Sequence, residues 1–175
     1  GAMANNFLAY KKYEIGKSLK EEKSKDAVEK ILKDAEEKRC KILIPEDCLV
    51  SKSFEGEAIS KDIKSIEKDE IILDIGPKTI KVIEDIIDNS NTIMWNGPAG
   101  YFESKNFALG TNAIAQKISE NTKNKSLTSV LGGGDTVSAI NKSGLDLSFT
   151  HLSTAGGAFL EYLEGKDLPG LSVLK

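Results

Sequence analysis

Ser129-Val130-Leu131-Gly132-Gly133-Gly134-Asp135-Thr136 is the stretch on which the reading of this chain turns. A short apolar run meets three glycines, an acid and a hydroxyl, the pattern of a strand that stops abruptly and opens a helix. Three adjacent glycines remove every Cβ from the turn, so backbone N–H groups can approach an anion closely. The first turn of the next helix adds unpaired donors and the positive end of its dipole. Asp135 is the telling addition, because a carboxylate beside phosphate oxygens is repulsive unless a cation such as Mg²⁺ bridges the two. Two readings stand: a metal-nucleotide site, or a helix capped by Asp135 with glycines that only turn the chain.

Working outward, the second half of the chain alternates strand-like and helix-like patterns. The residues predict strands over 92–95, 127–131 and 149–152, and helices over 107–119, 136–142 and 158–163. Such alternation implies a parallel sheet covered by helices. The loops after the carboxyl ends of its strands then gather on one edge, where sheets of this kind bind ligands. Three of these loops are rich in glycine: Asn96 to Glu103, Gly132 to Thr136 and Ser153 to Gly157. The expected fold is a Rossmann-like α/β three-layer sandwich, with a mainly parallel sheet and helices on both faces, formed by residues 1–175 as one domain.

The first half is less regular. Helices are expected over 4–12, over 24–39 with Ser24 as N-cap, and over 78–88 with Pro77 at the first position. Lys41 to Pro45 reads as a buried strand, Cys48 to Val50 as a second, and Ile71 to Ile75 as a third. Gly16-Lys17-Ser18 imitates the end of a P-loop, but Lys11 stands where the first glycine belongs and no apolar strand precedes it.

Composition narrows the partners. With 24 basic and 27 acidic residues, a net charge of -3 and a pI near 5.4, the chain is a poor candidate for nucleic acid or anionic membrane. Arg39 is the only arginine, so a bidentate arginine clamp on a small anion cannot be built here. His151, the only histidine, is assigned no role. Cys40 and Cys48 lack CxxC spacing and read as buried free thiols of a reducing compartment. No apolar run has membrane-spanning length and no signal-peptide layout opens the chain, so a cytoplasmic protein is expected.

A dinucleotide fingerprint fails, because Val137 occupies the third glycine position after Gly132 and Gly134, and no complete Walker A is present. Glu103 reads either as an acceptor for both ribose hydroxyls of a nucleotide or as a solvated glutamate near a helix start.

Met94-Trp95-Asn96-Gly97-Pro98 through Phe102-Glu103, then Gly132 to Thr136, then Ser153-Thr154-Ala155-Gly156-Gly157-Ala158 resemble, in order and spacing, the signatures of the phosphoglycerate kinase family. Asp74 to Thr79, Glu164 to Gly170 and even the opening Gly1 to Asn5 are similar as well. The resemblance corresponds to the C-terminal, nucleotide-binding half of a two-domain enzyme. It implies reversible phosphoryl transfer between 1,3-bisphosphoglycerate and ADP, giving 3-phosphoglycerate and ATP, in glycolysis. Position by position it implies that Glu103 holds the ribose, and that Asn96, Gly97, Pro98, Tyr101 and Phe102 line the base and phosphate region. Asp135 would bind Mg²⁺, Gly134 and Thr136 would serve the phosphates, and backbone amides near Gly133 and Gly156 would face the transferring group.

Ala155 and Tyr101 depart from the family pattern, which usually has glycine and a small aliphatic residue there. The phosphoglycerate would be held by the family's other half, so this chain alone is expected to be an inactive monomer. The alternatives are a non-catalytic nucleotide- or NAD-binding module of Rossmann type, and a structural α/β domain whose glycines only form turns.

Overall fold

Ile71–Ile75 and Asp47–Ser51 are apolar runs that lie side by side, and around them the N-terminal part of the chain is built. The computed structural model describes residues 1–173. In chain order it contains α1 (Ala2–Tyr10), α2 (Lys25–Glu37), β1 (Asp47–Ser51), β2 (Ile59–Asp62), β3 (Ile71–Ile75), α3 (Pro77–Asp88), β4 (Thr92–Asn96), α4 (Leu109–Asn124), β5 (Thr128–Gly132), α5 (Gly134–Ser143), β6 (His151–Ser153), α6 (Gly156–Leu163) and α7 (Pro169–Ser172). Two compact units emerge. The first comprises Gly1–Val82 with Ala99–Gly110, the second Ile83–Pro98 with Thr111–Lys175.

The first unit holds an antiparallel sheet in the order β2-β1-β3. Strand β1 is buried along its whole length. Cys48 and Val50 pack into a cluster with Leu8, Ile15, Ile63 and Ile66, whereas Leu49 packs with Leu73 and Phe107. The two-residue alternation of a strand accounts for this division. Asp47, also buried, spends its carboxylate on α3: Oδ1 accepts from the Thr79 N–H (2.8 Å) and hydroxyl (2.7 Å), and Oδ2 from the Lys78 N–H (2.9 Å). An acid at a helix N-terminus satisfies orphan amides and complements the dipole. A strand residue thus caps a helix thirty-odd positions away.

The second unit holds the parallel sheet β4-β5-β6. Trp95 and Leu131 are buried on one of its faces, and Ile114, Ala115 and Ile118 of α4 are buried too. Hydroxyls tie the central strand to its surroundings. Ser129, fully buried on β5, shares a hydrogen bond with Thr122 of α4 (2.9 Å) and accepts from the Thr150 N–H (3.0 Å).

The α/β class and the parallel sheet agree with expectation, and the antiparallel sheet of the first unit is an addition that alternation alone did not announce. Lys41 to Pro45 is not a strand. Strand β1 already has a neighbour on each side, and the free edge of β3 is taken by a Gly16–Ile71 bridge and by the Ser18 hydroxyl, which accepts from the Ile72 N–H at 2.8 Å. Ile44 instead packs against the Leu8 cluster from irregular chain. Gly16 to Ser18 is accordingly engaged in sheet closure. Ser24 precedes α2 but does not cap it through its side chain, because its hydroxyl donates to the Glu21 carbonyl. Both cysteines are free, and only Cys48 is buried; Cys40 is exposed just after α2. Burial pushes the Cys48 thiol up to about 12, which keeps it protonated and unreactive.

Candidate functional site

The parallel sheet brings the ends of its three strands level. Asn96, Gly132 and Ser153 are register partners across β4, β5 and β6, so the three glycine-rich loops leave one edge of one sheet. Gly133 follows β5 with φ of +95°, a conformation that suits glycine alone, and serves as N-cap of α5. A Cβ on Gly133 would stand 2.5 Å from Asn96 Oδ1. A Cβ on Gly156 would stand 3.2 Å from the Gly133 Cα, so the turn after β5 and the start of α6 meet backbone to backbone.

Neither α5 nor α6 has a side-chain cap at its N-terminus. Their first-turn amides have no intrahelical partner, and both dipoles present their positive ends at the strand edge. Such an arrangement can receive an anion with several phosphate oxygens. The helix begins at Gly134, two residues earlier than expected, so Asp135 stands inside the first turn with an exposed carboxylate and is not the cap. Thr136 is fully buried, and its Oγ1 accepts from the Gly97 N–H at 2.7 Å. That bond locks the loop after β4 onto the start of α5. Gly97 is further held through its carbonyl, which accepts from the Trp95 indole N–H (2.7 Å), and Pro98 follows half-buried.

Asn96, Gly97, Gly133, Gly134, Asp135, Thr136 and Gly156 are therefore assembled in the second unit. Tyr101, Phe102 and Glu103 belong to the first unit. There the Tyr101 N–H donates to the Leu73 carbonyl (2.7 Å), the Tyr101 ring meets Phe54 edge-on with centroids 5.1 Å apart, and Glu103 is exposed.

Two side chains were given no role in the sequence reading. Phe159 of α6 packs against Gly132, where an added Cβ would lie 2.9 Å from its ring. Asp74 lies fully buried on β3 and accepts from the Ile75 N–H (2.8 Å) and the Gly110 N–H (2.8 Å). Burial pushes its carboxyl up to about 6 against the pull of those two amides. The signal was present: one acid inside the apolar run Ile71 to Ile75. Such a residue needs internal partners.

Fold and strand edge together define an α/β protein whose parallel sheet ends in two uncapped, adjoining helix N-termini. The chain belongs to the phosphoglycerate kinase family, whose model, described as phosphoglycerate kinase, matches residues 1–166. It is 46% identical over 177 residues to the phosphoglycerate kinase of Wolbachia pipientis wMel, covering 100% of this chain and 44% of that one. The enzyme of Zymomonas mobilis subsp. mobilis is 45% identical, with 100% of this chain and 45% of that one covered. Among solved structures, phosphoglycerate kinase from Coxiella burnetii superposes with a TM-score of 0.92 at 39% identity over 100% of this chain and 45% of that one. The enzyme from Pyrococcus horikoshii OT3 gives 0.72 at 31% identity over 98% and 42%. The chain thus spans about half the length of the relatives it matches.

Proposed function

We propose that this chain is the C-terminal, nucleotide-binding half of a phosphoglycerate kinase, an enzyme that reversibly moves a phosphoryl group between 1,3-bisphosphoglycerate and ADP. The observation that carries the reading is the meeting of Gly133 and Gly156 at two uncapped helix N-termini. Phosphoryl transfer requires positioning and charge neutralisation more than covalent chemistry. Fixed amides at Gly133 and Gly134 suit both demands, since they need no reorganisation as charge develops on the phosphoryl oxygens. The Gly156 N–H is spent on the Thr154 carbonyl (3.1 Å), and Gly156 serves by letting the start of α6 meet the turn after β5. No side chain need act as a base.

Asp135 supports a magnesium-bound nucleotide. Among the described residues no group of three or more His, Cys, Asp or Glu could hold a metal ion. A single exposed carboxylate beside a phosphate cradle fits Mg²⁺, which commonly takes one or two carboxylates and completes its shell with phosphates and water. The ion would neutralise phosphate charge when bound. Thr136 contributes by holding Gly97, and with it the Asn96 to Pro98 loop, against α5. Tyr101, Phe102 and Glu103 are assigned to the base and ribose. The acidic charge balance and the two unpaired thiols support a cytoplasmic setting, and no helix among the described residues is long and apolar enough to cross a membrane. On this reading 3-phosphoglycerate is bound by the other half of the enzyme, and the isolated chain has no kinase turnover.

Calorimetric titration with ADP, with and without Mg²⁺, tests the proposal. Saturable ADP binding is expected, with a Mg²⁺ dependence that Asp135→Ala abolishes and with NADH silent. Absence of ADP binding, or NADH binding in its place, would overturn it.

A further inference from the structure

Asp74 sits outside the glycine turn and nothing in the proposed chemistry uses it. It is nonetheless the most tightly enclosed carboxylate of the first unit, 1% exposed on a strand that is otherwise apolar. Its oxygens accept from the amide of its own neighbour Ile75 and from Gly110, in the first turn of α4, thirty-six residues further on. Between those points the chain leaves the sheet and returns as the segment Ala99–Gly110. Gly100 of that segment lies so close to the Asp74 carboxylate that a Cβ there would collide with it, and would also come within 2.5 Å of the Phe107 carbonyl oxygen. A Cβ on Gly110 would stand 2.6 Å from Asp74 Oδ1. The adjacent Leu73 carbonyl accepts from the Tyr101 N–H at 2.7 Å. Phe107, fully buried, closes the loop against Leu49 and Leu73. One carboxylate is therefore the seat on which both ends of the loop rest.

We infer that Asp74 is a positioning residue: its carboxylate, bonded to Gly110 and packed against Gly100, fixes the conformation of the loop that carries Tyr101, Phe102 and Glu103, the residues assigned above to the base and ribose. This rests on the proposed nucleotide reading. Charge alone does not explain the choice of residue. Both oxygens accept from N–H groups, so an amide side chain would turn an NH₂ toward one of them and lose that bond.

The test separates loop from cradle by using two probes, ADP and inorganic pyrophosphate, on the same chain. Asp74 belongs to the first unit and the cradle at Gly133 to Thr136 to the second, so a positioning role predicts a selective loss. Asp74→Asn is expected to weaken ADP about tenfold, the scale of one lost charge-assisted hydrogen bond, with pyrophosphate affinity unchanged. Hydrogen exchange at the Tyr101 and Gly110 amides should quicken in parallel. Gly100→Ala, which leaves the carboxylate in place but lifts the loop from it, should reproduce both effects if Asp74→Asn folds poorly. Wild-type binding of ADP with equal affinity in both variants would overturn the inference while leaving the nucleotide reading intact. Wild-type failure to bind ADP would remove that reading and the inference with it. Equal weakening of ADP and pyrophosphate would show a general loosening and would also overturn it.

Discussion

At Gly133 two constraints coincide: a φ of +95° and a would-be Cβ only 2.5 Å from Asn96 Oδ1. Either alone penalises a side chain, and the second involves a side chain already committed to the strand edge. Gly133→Ala is therefore expected to lower unfolding free energy by about 1–3 kcal/mol in urea titration. The neighbouring Gly134→Ala is the control, because a Cβ there meets nothing within 4 Å. It should stay within about 0.5 kcal/mol. Equal losses at the two positions would show that the turn tolerates a Cβ at Gly133. This residue-level demand was legible beforehand, since three glycines after an apolar run have few other uses. The role of Thr136 was not. A hydroxyl after an acid is a natural phosphate ligand on paper, and only the three-dimensional return of Gly97 reveals its bond to the preceding loop.

Between elements, one charged clamp adds to the apolar packing. At the end of α3, Asp88 takes Lys117 (2.7 Å) and Lys125 (2.7 Å), with Asn121 adding a bond from Nδ2 at 3.0 Å. Hydrogen bonds from Lys117, then Lys125 and Asn121, hold its carboxyl well below the usual carboxylate range. A depressed pKa contributes stability that is complete above the ordinary value near about 4 and is lost as pH falls through the lower folded value. Asp88→Asn should lower Tm at neutral pH, and the gap from wild type should close as pH drops below about 4. A gap that persists unchanged in strong acid would mean that packing, not charge, joins these helices. Periodicity foresaw α2, α3 and the strands of the parallel sheet, because each carries its own local pattern. It misread Lys41 to Pro45, an apolar run whose state depends on whether a sheet edge is free. It was also silent on Asp47, whose partners lie on a different element.

For the whole molecule, the parallel sheet of the second unit raises a question that its strands answer by register. Met94, Val130 and His151 are partners on the face opposite Trp95 and Leu131, and Met94 is 50% exposed. Helix α6 buries none of its residues, leaving Leu160, Tyr162 and Leu163 largely exposed. Parallel sheets are normally covered on both faces, and exposed apolar side chains such as these bind apolar probes. An environment-sensitive apolar dye should fluoresce with the native chain, and Met94→Gln with Leu163→Gln should reduce the signal without lowering Tm. A dark native chain would mean that the face is covered in solution.

The interleaving of the two units has a temporal side. Synthesis runs from the N-terminus, so Asp74 is made thirty-six residues before the Gly110 amide that it needs, and Phe107 arrives long after the strands it seals. In between, the ribosome delivers β4, which belongs to the other unit. The contacts of the first unit are complete only after a segment of its neighbour has been made. Until then Asp74 lacks the Gly110 N–H, one of its two partners, and the strands lack the Phe107 ring that packs on Leu49 and Leu73.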